Sequence, residues 1–152
     1  MHLRSYIGLL DTGERTLAAS YRQVADGHRA EFDVLHLCHL LARQCDRHVE
    51  ALAPLVERYG EDPQHEPERL HAEGLSTTRS GGLGLLRDLH DLYLLANYLD
   101  IAWTIVGQAG QGARDQEVID IVAGCEGDIA TQVKFLQTRL KQAAPQALLV
   151  AD

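Results

Sequence analysis

A chain of 152 residues with 45% apolar and 24% charged side chains is sized and composed for one globular domain, residues 1–152, with a core that needs no staple. Its formal charge of −8, with no run of Lys or Arg longer than a pair, repels phosphate backbones and anionic lipid, so neither nucleic acid nor a membrane surface is an expected partner. Aromatic residues are only 5% of the chain while Leu and Ala abound, which favours helices packed on helices over a β-sandwich.

Helical periodicity accounts for four segments. The first is expected over residues 3–25, with Leu3, Ile7, Leu10, Leu17, Tyr21 and Val24 on one stripe and Asp26-Gly27 as its turn; Gly13 weakens its middle by about 1 kcal/mol relative to Ala. The second covers 31–59, with Val34, Leu37, Leu41, Cys45, Leu52, Leu55 and Tyr59 facing inward. Pro54 should kink it and Gly60 should stop it. Residues 60–82 hold Pro63, Pro67, a Ser-Thr-Thr run and Gly81-Gly82, and read as a loop far longer than an antiparallel neighbour needs. A crossover that leaves the second and third helices parallel is therefore expected.

The third helix, over 83–107, is apolar nearly all round and should be the most buried. The segment 110–113 (Gly-Gln-Gly-Ala) reads as a turn, Asp115 as the cap of a fourth helix over 115–144, and Pro145 as its stop. The apolar tail 147–150 must then dock on a bundle groove or on another copy, which makes a homodimer the expected assembly. Leu92 to Val106 is too short and too polar to span a membrane. The cysteines Cys38, Cys45 and Cys125 lie in helical patterns and are odd in number, as buried reduced thiols would be. With no signal-peptide pattern at the N-terminus, the expected location is the cytoplasm.

Each predicted helix turns one ionisable residue inward. The seam 3, 7, 10, 14, 17, 21, 24 is interrupted at Glu14, and 34, 37, 41, 45, 48, 52, 55, 59 at His48. The seam 88, 92, 95, 99, 102, 106 starts on Asp88, and 119, 122, 126, 129, 133, 136, 140 is interrupted at Glu126. A carboxylate buried alone is costly, so such groups need each other, a metal, or water. Asp88, low on its helix, reads instead as a solvated first-turn acid suited to the helix dipole.

Four helices, a long middle crossover and inward Glu14, His48 and Glu126 resemble the ferritin-like family. In that family two helices each give a Glu and the other two a Glu-x-x-His to a di-iron centre. The resemblance implies a metal site on Glu14, His48 and Glu126 taking iron or another divalent ion. The sequence departs from the pattern in three places. Cys45 stands where the second helix should carry Glu, Ile129 where the fourth should carry His, and the third helix has Asn97 rather than an acid at the height of Glu14. The implied site is therefore partial. The competing reading is a non-catalytic structural or interaction bundle whose core acids are structural.

Other motifs point to structure rather than chemistry. Cys45-x-x-His48 puts a thiol and an imidazole on one face, but no second pair completes a zinc site. Asp46-x-x-x-Glu50, His36 and His39 read as solvated surface. No phosphate loop, nucleophile elbow or dinucleotide fingerprint occurs.

Overall fold

The computed structural model describes residues 2–60, 75 and 77–150. Among them are four α-helices, α1 (Leu3–Gly27), α2 (Phe32–Tyr59), α3 (Gly81–Ala113) and α4 (Gln116–Pro145), followed by a π-helical turn over Gln146–Val150. They form an all-α four-helix bundle. The hairpin pairs α1 with α2 and α3 with α4; α1 then packs on α3, and α2 touches α4 least.

Cross-helix neighbours give the directions. On α1, Gly13 lies against Leu99 and Gly27 against Thr78, while His28 meets Asp88, so α1 and α3 are antiparallel. Asp33 meets Arg139, His48 meets Asp128 and Arg58 meets Asp115, so α2 and α4 are antiparallel too. Because α1 also runs against α2 through their hairpin, α2 and α3 run parallel at opposite corners, as the length of the connection implied. Most of that connection, 61–74 and 76, lies outside the described residues. Its described part leans on α1, where the Leu75 N–H donates to Ser20 Oγ at 3.4 Å.

Why these stripes bury is visible in the seams. Ile7, Leu10, Glu14, Leu17, Tyr21 and Val24 are buried on α1; Val34, Leu41, Cys45, His48, Leu52 and Leu55 are buried on α2. On α3, Asp88, Leu92, Leu95, Leu99, Ala102 and Val106 are buried, matching the 3–4 spacing read from sequence. The fourth seam is different. Val118, Val122, Cys125, Ile129, Gln132 and Leu136 face the core. This line keeps Val122, Ile129 and Leu136 of the expected one but takes Val118, Cys125 and Gln132 in place of Ile119, Glu126 and Val133, which leaves Glu126 exposed.

Three further expectations are corrected. The turn expected at 110–113 is helix, because Gly110 admits Val118, whose Cγ1 would sit 2.7 Å from a Cβ there. The chain turns instead at Arg114, which is left-handed at φ 53, and Asp115 caps α4 by accepting from the Val118 N–H at 3.3 Å. Secondly, α3 is not buried all round: Leu83, Leu94, Ile101 and Ile105 are exposed. Thirdly, α4 ends at Pro145 as expected, but a π-helical turn carries the chain on to Val150 and does not lay the tail in a groove. Of the tail only Ala147 is buried, and Leu148, Leu149 and Val150 are exposed, so no bundle groove receives them.

Gly13, a weak point by helix propensity, has a packing reason: a Cβ there would lie 2.4 Å from Leu99 Cδ2, so the missing side chain lets α3 approach α1. Gly27 does the same for the returning crossover, since its Cβ would lie 2.4 to 2.8 Å from three atoms of the Thr78 side chain. A Gly27→Ala chain is expected to lose about 1–3 kcal/mol through overpacking. Thermal unfolding of the single variant and of Gly27→Ala with Thr78→Gly checks it; the second change should return most of the loss.

Candidate functional site

At mid-height of the bundle α1 carries Glu14, α2 His48, α3 Trp103 and α4 Asp128, one group from each helix. Each is placed by its seam: Glu14 and His48 replace an apolar residue at a buried position, and Trp103 is wholly buried beside Ala102. His48 Nδ1 donates to Glu14 Oε1 at 3.0 Å, and the Trp103 indole N–H donates to the same oxygen at 2.8 Å. On its other side His48 Nε2 donates to Asp128 Oδ2 at 3.1 Å. The imidazole also meets the Trp103 ring edge-on, centroids 5.9 Å apart. Glu14 is 0% exposed and His48 2%, whereas the Asp128 side chain is 38% exposed. The line therefore runs from solvent at Asp128 through His48 to a carboxylate in the core.

Two carboxylates facing one imidazole favour the doubly protonated ring, which can donate to both. Burial alone would lower the His48 pKa, but the hydrogen bonds and charges of Glu14 and then Asp128 outweigh it and raise the value. Glu14 Oε2 has no hydrogen-bond partner although it is buried.

A second polar ladder lies one turn away. Tyr21 donates its hydroxyl to Gln132 Oε1 at 2.9 Å, and Gln132 Nε2 donates to Gln44 Oε1 at 3.0 Å, joining α1, α4 and α2. Cys45 packs beside Gln132 at 3.9 Å. Burial first, and then the negative charge of Glu14, push its thiol far up, which disfavours the thiolate a nucleophile needs. Burial likewise pushes Cys38 and Cys125 up to about 12. All three cysteines are free and buried.

Of the residues singled out from sequence, Glu14 and His48 come together. Glu126 does not join them: it lies on the exposed face of α4, lining a surface cleft with Thr104 and Gln108. Asp128, two positions on, reaches His48 in its place. Asp88 is not solvated. Its side chain is 0% exposed and accepts from His28 Nε2 at 2.7 Å, the Arg79 N–H at 2.9 Å and the Arg79 guanidinium at 2.8 Å. It ties the end of the crossover to the end of α1, away from Glu14. Asp46 and Glu50 are exposed as expected, and Asp46 pairs with Arg22.

The donor set suits a metal poorly. Both ring nitrogens of His48 are spent on carboxylates, and a ring that donates from both has no lone pair for an ion. Among the described residues no three His, Cys, Asp or Glu side chains are grouped to hold a metal ion. No described helix is long and apolar enough to cross a membrane. No family model, no curated protein and no solved structure matches the chain.

Proposed function

We propose that this chain is a non-catalytic helical bundle that acts through its surface, and that the Glu14–His48–Asp128 line is a structural polar network. The observation that carries the reading is His48, which gives Nδ1 to Glu14 and Nε2 to Asp128 and so locks three helices in register instead of presenting a nitrogen to a ligand. Parallel α2 and α3 with a long connection support a ferritin-like topology, and the buried, unpaired thiols support a place in the reducing cytoplasm. A homodimer belongs to the same proposal.

One observation favours the second reading, a partial metal site. Glu14 Oε2 is a buried acceptor without a partner, and a cation would satisfy it. Elemental mass spectrometry of the purified chain decides between the two. The structural reading expects no stoichiometric iron or other divalent metal, and a Glu14→Ala chain with the same content. One metal per chain that Glu14→Ala loses while its helical circular dichroism survives would overturn it.

A further inference from the structure

The outer face of α3 leaves four large apolar side chains open to solvent. Leu83, Leu94, Ile101 and Ile105 are 51%, 56%, 55% and 42% exposed. At about 100° per residue Leu83, His90, Leu94 and Ile101 fall within about 20° of one line, with Arg87 and Ile105 about 40° to one side. That line points directly away from Leu92 and Leu99, which are buried. It extends over about 33 Å of helix. Such a face on a chain of charge −8 is anomalous in a second way: no position on the line carries a carboxylate, and Asp91, whose side chain is 39% exposed, lies about 80° away from it and pairs with Arg79. Two copies of an acidic chain repel each other least where its own acids are absent.

We propose that this face pairs with the same face of a second copy, the two α3 helices antiparallel about a two-fold axis beside Leu94. The spacing is self-complementary, as an isologous contact requires. Reversing the helix about Leu94 sets Leu83 against Ile105 and Leu94 against its own equivalent. Ile101 then lies on the aliphatic stem of Arg87, whose guanidinium reaches past it to water. The parallel alternative would place Leu83 on Leu83 and lose this register. The inference deepens the reading of the chain as a bundle that works through its surface and gives that surface its partner, and it is independent of what Glu14 binds.

Light scattering and disulfide trapping test it on the full chain. The wild type is expected at twice its 16.8 kDa mass. Leu94→Glu, which puts two carboxylates at the axis, should halve that mass while keeping wild-type helical circular dichroism. Because the native cysteines are buried, introduced ones report alone: Leu94→Cys should cross-link to itself under mild oxidation, and Leu83→Cys chains to Ile105→Cys chains in a mixture. A monomeric wild type, a dimer indifferent to Leu94→Glu, or Leu83→Cys linking to itself in preference to Ile105→Cys would each overturn the proposal. The second outcome would move the interface elsewhere, with the exposed Leu148 to Val150 the next surface to probe. A stoichiometric metal would overturn the structural reading of Glu14 and leave this dimer standing, so the two failures are distinguishable.

Discussion

A His48→Ala chain is expected to be about 3–5 kcal/mol less stable than the wild type, the range for removing one partner of a buried ion pair. The reason is what stays behind. Glu14 remains 0% exposed and keeps only the Trp103 N–H at 2.8 Å, with one oxygen already without a partner. The lost imidazole also leaves a void against the Trp103 edge. Urea midpoints at constant slope measure the loss. Adding Glu14→Gln to His48→Ala should recover a large part of it, because the amide carries no charge to strand. If the single change costs less than about 1 kcal/mol, in the range of an ordinary surface substitution, Glu14 does not depend on His48 and the network is not structural.

The same pair predicts a direction with pH. His48 has its folded pKa raised above the ordinary 6.5, so the folded chain holds that proton more tightly than the unfolded one. The stability it contributes is whole below about 6.5 and is lost as pH rises through the folded value. Unfolding midpoints should therefore fall as pH is taken upward from 6, and a His48→Gln chain should show a flatter profile over the same interval. Equal slopes in the two chains would exclude His48 as the titrating group.

Much of this was legible in the residues. Three seams follow from the 3–4 spacing alone, and the inward Glu14 and His48 stand out because they interrupt apolar stripes. The α4 seam was not legible in the same way: both 119, 122, 126 and 118, 122, 125 satisfy the spacing, and only the packing of Val118 on Gly110 selects the second. That single step exchanges Glu126 for Cys125 and brings Gln132 and Asp128 to the interior side. Asp128 carried a weak signal, lying on the line 125, 128, 132 that the other register ignores. Trp103 had a plainer one, as an indole in a core helix that needs an acceptor for its N–H. The exposed face of α3 could not be read at all from a helix apolar nearly all round, because periodicity shows which side faces the core only when the other side is polar.

The Asp88 carboxylate gives the second large effect, at the other end of the bundle. Asp88→Ala is expected to cost about 1–3 kcal/mol, the penalty for leaving buried polar groups unmade. It strands His28, which is 7% exposed, and the backbone N–H of Arg79. The Arg79 guanidinium suffers less, because it keeps Asp91 at 2.8 Å. The loss should therefore be local to the backbone where the crossover rejoins α3. Hydrogen exchange at the Arg79 amide should accelerate by at least tenfold, which is about 1.4 kcal/mol of local opening, while amides in the middle of α2 shift only with the global stability. Asp88→Asn keeps one carbonyl oxygen in place and should restore part of the protection, since either His28 or the Arg79 N–H can still donate to it. Unchanged exchange at Arg79 in the Asp88→Ala chain would mean that the close fit of Thr78 on Gly27, and not this carboxylate, anchors the end of the crossover.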